Sequence, residues 1–474
     1  MPSTYNKEDY DCRFDEPNGG IYSLQDNSEN DLYDPWLVFR PLDKFNFSSS
    51  NGLLTEIRGI ENDQVLARFE DTMEVHNAVD TTVDDGSRPE TKVLGNGGLF
   101  SRRTRDFSKT DLGKYGSQST EMSSNEFGHF FVDAKRGSVI QVMPSSAGLR
   151  EISKEGSQRR PNGMSDWFKE HLPFKILKSN IANSESIDID NPYNGVGITV
   201  GFDDRYKRVF FTKKDYVPKV SGIVHENGVY TLNDVEIELN DTQYFDDASW
   251  TLAYSPLRQE WISYYDFKPN YYIAHTDYFQ TGLSDKGLWS HNLTNKSFGV
   301  FYGEYFPSMV TYATKNDLKE NNLNTVMFKS DAERYHNKYD SAYNPDITFN
   351  KAVIWSTREN SGNLELIPQK TLSQVSKYPI TKNGTTQEIL ITNSQELWSF
   401  DYFWNRVKRE NSNQPIWNKD INDIGKTINS NIVSMYGKPV LEPLSATAFY
   451  VTLIYDKDSR YEVDLQWAIN TEST

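Results

Sequence analysis

From Leu37 onward the chain is written in short aromatic and β-branched runs, broken every few residues by Asn, Asp, Gly or Ser at strand-length spacing. That pattern suits a half-buried pleated surface and leaves little room for long helices. The expected class is mainly β, with a β-propeller-like domain, additional β-sandwich or hairpin elements and a few short helices. At 474 residues the chain exceeds one ordinary core, so two or three domains or one large repeat-built domain are expected. With 28 Tyr, 26 Phe and 10 Trp it buries enough ring surface to offset backbone entropy, which excludes a disordered chain.

Three regions follow from the composition. Residues 1–36 are acidic, contain Asn, Ser and Gly, and lack any period, so they read as an arm. Residues 37–345 read as the propeller-like domain with insertions, and residues 346–474 as a further β-rich region with helices and a C-terminal hairpin. Asn227-Gly228 and Asn383-Gly384 mark tight hairpins, since both dipeptides accept positive φ. The C-terminal hairpin is expected from Phe449–Tyr455 and Tyr461–Ile469, flanking Asp456-Lys457-Asp458-Ser459. Phe130–Val142, Gly201–Lys214 and Ala253–Asp266 share one plan: an apolar strand, a polar turn opened by Asp or Ser, and a second strand six residues on. Spacing of this kind approaches blade length, although hairpin turns draw on few residue types and produce likenesses by chance. A helix is expected over Met164–Leu172, where Met164, Trp167, Phe168 and Leu172 share a face ahead of Pro173. Others are expected at Thr371–Val375, Trp398–Lys408 and Asp420–Ser434.

The chemistry of the chain is sparse. It carries 50 Lys and Arg against 67 Asp and Glu, a formal charge of −17, which argues against gripping nucleic acid and suits a conduit that a polyanion passes without sticking. The single cysteine, Cys12, forms no intramolecular disulfide and lies in the arm. No two of His76, His129, His171, His225, His275, His291 and His336 stand at i, i+3 or i+4, the spacing a helical zinc site needs. Leu94-Gly95-Asn96-Gly97-Gly98-Leu99 lacks the third glycine of a dinucleotide loop and reads as a glycine-rich turn. Asp188, Asp190 and Asn194 crowd oxygens near Gly195, but Pro192 interrupts a calcium series and the polar turn is preferred. The pairs Asp203-Asp204 and Asp246-Asp247 match a glycosidase only if they face one another, and Tyr271-Tyr272 and Trp289 stack on sugars only if exposed. Arg102, Arg103 and Arg105, with Lys109 and Lys114, form the one cationic island of the first half, suited to a phosphate or to a partner's acidic surface. The start has no basic and apolar leader and no later stretch approaches a membrane span, so a soluble protein without a membrane anchor is expected.

Several long motifs occur in one order: LGNGGLFSRRTRDFSKTDLGKYGSQST, FGHFFVDAKRGSVIQV, REISKEG, GMSDWFKEHLPF, GLWSHNLTNKSFGVFYGEYFP, DAERYHNKYD and FNKAVIWSTRENSGNLEL. This series resembles the tail muzzle, or stabilization, proteins of crAss-like bacteriophages, over roughly Leu37 to Ile469. The resemblance singles out Gly95, Gly97, Gly98, Phe127, Gly128, His129, Asp133, Gly137, Trp167, Asn350 and Gly362 as structural motif residues. It implies a virion structural protein, made in the host bacterial cytoplasm. Its copies would form a nozzle-like ring, expected to be sixfold, at the distal end of a short tail. The ring would contact other tail proteins and pass DNA without reading its sequence. No enzymatic activity, cofactor or metal is implied. The chain departs from the family where Ser117-Gln118-Ser119 replaces a Gly-Thr-Gln-His pattern, and relatives can be much longer. The alternative is a host-surface propeller that binds or cleaves carbohydrate. Direct DNA binding through Arg102, Arg103 and Arg105 is opposed by the net charge.

Overall fold

The computed structural model describes residues 20–22, 44–60, 64–77, 82–83, 92–93, 103–106, 115–143, 148–155, 164–193, 195–283, 286–293, 298–314, 319–337, 340–368, 380–382, 386–394, 396–401, 403–405, 443–457 and 459–473. The chain is mainly β and divides into two compact units, Met1–Asn292 and Leu293–Thr474. Within the residues expected to form an arm, Gly20–Tyr22 pairs with Lys44–Asn46. No helix is long and apolar enough to cross a membrane among the described residues.

The first unit is a succession of antiparallel meanders. Leu54–Ile60, Gln64–Phe69, Met73–Asn77 and Arg103–Asp106 form one sheet in that order; Ser123–Asn125, Gly128–Asp133, Ser138–Val142 and Leu149–Glu151 form a second. Gly197–Asp203, Arg208–Lys214, Trp250–Ser255 and Glu260–Tyr265 form a third, and Tyr271–Ala274, Phe279–Leu283 and Gly287–His291 a fourth of three strands. Between the second and third strands of the third sheet the chain inserts the ribbon Tyr216–Pro218/Phe245–Asp247 and a small sheet of Ile223–Glu226, Val229–Leu232 and Val235–Ile237. The lead strand of the third sheet, buried along its whole length, lies beside the lead strands of both its neighbours, Ser123–Asn125 and Tyr271–Ala274.

Aromatic rings fill the core of this unit. Phe130, Phe168, Phe211 and Tyr254 are fully buried with Val139 and Val209, each large side chain contributing about 1.5–3 kcal/mol by leaving water. Two glycines let rings approach backbone. A β-carbon on Gly201 would collide with the Tyr272 ring, and one on Gly282 with the Tyr271 ring of its paired strand.

The expected helix spans Ser165–His171, burying Phe168 and placing Asp166 in its first turn and Lys169 in its last, where each charge suits the helix dipole. Asn227-Gly228 forms the expected two-residue turn, with φ of 52° and 82° between the paired Glu226 and Val229. Lys382 pairs with Thr386 in a second hairpin, whose Asn383-Gly384 turn lies outside the described residues. So do the segments expected to be helical at Thr371–Val375 and Asp420–Ser434.

The three similar hairpins share one turn but not one position. They join the second and third strands of the second sheet, the first and second of the third sheet, and the third and fourth of the third sheet. The likeness is therefore a recurrent turn rather than a recurrent blade. Four residues must reverse the chain, and the same backbone solution serves wherever it is needed.

Most of the second unit is one eleven-stranded sheet curled into a half-barrel, with Val300–Phe301 and Glu304–Tyr305 pairing as a separate two-stranded ribbon. Its main path runs Ser308–Ala313, Tyr450–Tyr455, Lys351–Trp355, Asn363–Pro368, Thr386–Ser394, Leu397–Phe400, Asn321–Asn337 and Asp340–Tyr343. Ile380–Lys382, Ser445–Ala446 and Glu462–Ser473 attach to that path. The curl brings Tyr312, on the first strand, to donate to Asn470 Oδ1 on Glu462–Ser473 at 3.1 Å. Strands within 308–343, expected in the first region, thus pair with strands within 445–473.

Two expectations are corrected here. The C-terminal segments are not a hairpin: Tyr450–Tyr455 has both edges occupied, by Ser308–Ala313 and Lys351–Trp355, so Glu462–Ser473 pairs along Asn321–Asn337 instead. Trp398–Lys408 does not begin as a helix. Leu397–Phe400 is a strand whose alternate residues Trp398 and Phe400 are buried, a period of two that the absence of Pro and Gly concealed.

Candidate functional site

Of the motif residues of the first unit, Asp133 and Gly137 form one turn, and Trp167 lies on the helix seated upon it. The Asp133 carboxylate accepts the backbone N–H of Arg136 at 3.1 Å, and the equivalent side chains Asp203 and Ser255 accept from Arg205 and Arg258. The fourth residue after each is left-handed: Gly137 at φ 68°, Lys207 at 49° and Gln259 at 58°. Only the Asp133 turn has glycine there. A β-carbon at Gly137 would stand 2.5 Å from Lys169 Cα, so this turn seats the helix backbone directly upon it. Trp167, on that helix, stacks on His171 at 4.2 Å and meets Trp250 edge-on at 5.1 Å.

Asp133 also accepts the N–H of Gly116 at 3.1 Å, and burial pushes its carboxyl above the usual range against the pull of these amides. Gly116 is required because a β-carbon would strike the carbonyl of Glu70. The run that follows is a stitch between sheets. Ser117 N–H donates to Phe69 O on the first sheet and its hydroxyl to Val132 O on the second; Ser119 donates to Asp190 Oδ1, and Gln118 bridges Glu70 O and the N–H of Lys135. Ser119 also reaches Ile198 O on the third sheet, at 3.4 Å. Sequence reasoning noted Ser117-Gln118-Ser119 only as a departure from the family. An extended polar run without period carries no signal for such a role.

Phe127, Gly128 and His129 form the opposite end of the same hairpin. Gln141 donates to Phe127 O at 2.7 Å, and Gly128 takes φ 118°. The His129 Nδ1 lies 2.8 Å from Ser124 Oγ, and burial holds the ring below its ordinary pKa. It is a satisfied structural histidine.

In the second unit Asn350 Oδ1 accepts the N–H of Asp456 at 2.7 Å, while its backbone bonds Ile454 O and the N–H of Leu366, fixing the register of three strands. Gly362 turns at φ 72° and donates to Asn360 Oδ1. Gly95, Gly97 and Gly98 lie outside the described residues.

The residues offered for carbohydrate chemistry have structural engagements. Both oxygens of Asp203 are taken, one by Arg208 Nε at 2.8 Å and the other by Asn292 Nδ2 at 2.8 Å; Arg208 in turn bonds Tyr265 and lies over Tyr206 and Phe210. Asp246 pairs with Lys219 and Asp247 with Lys268, each at under 3 Å. As neighbours on one strand they point to opposite faces and do not converge. Tyr272 stacks on Phe210 and bonds Thr212, and Trp289 donates to Lys286 O. Asp190 is spent on Ser119 and Thr120, Asn194 lies outside the described residues, and no group of three or more potential metal ligands occurs among the described residues.

Beneath the helix, Lys213 and Asp215 form a buried knot. Lys213 Nζ donates to His171 O and Pro173 O at the helix end, and Asp215 accepts the N–H groups of Lys175, Ile176 and Tyr216. Burial pulls the Lys213 ammonium down to about 8, with Asp215 opposing the shift. Each ionisable group in these clusters is answered by an internal partner, an arrangement suited to holding shape. No protein-family model matches the chain, and no curated protein matches it in sequence.

Proposed function

We propose that this protein is a non-enzymatic structural component of a short-tailed bacteriophage virion, a propeller-like subunit whose copies form a ring around the DNA exit channel at the distal tail. The observation that carries the reading is the contact of three successive lead strands, Ser123–Asn125, Gly197–Asp203 and Tyr271–Ala274, as neighbouring propeller blades present theirs. The motif series supports the phage assignment, and a formal charge of −17 suits passage of a polyanion without adhesion. The carbohydrate reading has weaker support, since Asp246, Asp247 and Tyr272 are engaged internally.

Native mass spectrometry and electron microscopy of the full chain test this. A closed oligomeric ring is expected, together with the protein's presence in purified tails. A strict monomer and tails devoid of the protein would sink the reading.

A further inference from the structure

The cationic island has no role in the reading so far, yet the structure gives part of it a definite place. Arg103–Asp106 is the last strand of the first sheet and, among the described residues, pairs on one side, with Met73–Asn77. A second edge of opposite charge lies in the inserted sheet. Val235–Ile237 is its last strand and, among the described residues, pairs with Val229–Leu232 alone. Around it Asp234, Glu236 and Glu238 are exposed and make no side-chain hydrogen bond or ion pair among the described residues. Between Asp234 and Glu236, Val235 is 62% exposed, among the most exposed large apolar residues described in the chain.

An unpaired edge offers a row of backbone donors and acceptors to another strand. Three exposed carboxylates beside it repel most of this acidic chain and select a partner strand that brings cations. Arg103–Asp106 is such a strand: similar in length, at an edge, and carrying two arginines.

We propose that Val235–Ile237 of one copy pairs with Arg103–Asp106 of a second copy, joining the inserted sheet of one subunit to the first sheet of the next. Because the two edges differ, the contact is head-to-tail, the type that closes into rings. The proposal deepens the ring reading and rests on it only in that copies associate.

Charge reversal in the full chain tests it, read by native mass spectrometry and sedimentation, with circular dichroism confirming the fold. Glu236→Lys with Glu238→Lys weakens self-association about a hundredfold, as does Arg103→Glu with Arg105→Glu. Mixing the two variants restores assembly, since each supplies the edge that the other lacks, and so does combining all four substitutions in one chain. High salt weakens the wild-type contact. Reversals that leave assembly intact, or a mixture that stays dissociated, overturn this interface while leaving the ring standing. Wild-type chains that never associate overturn both. Association that needs DNA or another tail protein, with the reversals silent, overturns the pairing between copies.

Discussion

Lys213 Nζ lies 2.6 Å from Asp215 Oδ2, and neither side chain reaches solvent. Two charges so placed are tolerated because every lone pair and proton is answered by the end of one helix and the start of the next segment. Lys213→Met strands a buried carboxylate and is expected to cost about 3–5 kcal/mol. Denaturation followed by the fluorescence of Trp167 and Trp250, which adjoin this region, reads the loss; an unchanged midpoint contradicts it.

Gly137 separates two kinds of glycine. Gly137→Ala brings a β-carbon to 2.5 Å from Lys169 Cα at a left-handed φ, and is expected to cost about 3 kcal/mol. Gly228→Ala has a similar φ and nothing within 4 Å, and should cost about 1 kcal/mol. Equal losses would show that the helix does not press on the Asp133 turn.

The recurrent turn carries a removable strain. Gln259 holds the left-handed position that glycine fills in the Asp133 turn. Gln259→Gly is expected to raise stability by about 0.5 kcal/mol, since relief of φ strain outweighs glycine's greater freedom when unfolded and the lost contact with Arg150 is exposed. A thermal melt showing lower stability refutes this.

Acid should weaken the first unit through His291. Its ring stacks on Phe279 at 4.7 Å and bonds Thr281 at 2.6 Å, and burial pulls its pKa down to about 4. As pH falls through 6.5 the unfolded ring takes a proton while the folded ring resists until about pH 4. Stability present above 6.5 is therefore lost across that interval, by about 3 kcal/mol. The difference in unfolding free energy between wild type and His291→Gln, measured from pH 7 to pH 4, isolates the effect. A constant difference would exclude it.

Local chemistry was legible in the sequence and long-range choice was not. Asn227-Gly228 and the Trp167-Phe168 face specify their own geometry within a few residues. The pairing of Glu462–Ser473 depends instead on which edges remain vacant elsewhere in the sheet, which no local pattern encodes. Lys213 reads as a surface cation, yet it shares a strand face with Val209 and Phe211, and that alternation was the available sign of burial. In the candidate site the motif residues around Asp133 stood in the sequence; Gly116 and Ser117–Ser119 did not stand out, because their partners come from three sheets.

That run also governs how the first unit must come apart. A peptide bonded at once to Phe69, Val132 and Ile198 cannot release one of its hosts without loosening the others. Heating should therefore melt those hosts together in a single calorimetric peak, and force applied to one should be shared by all three.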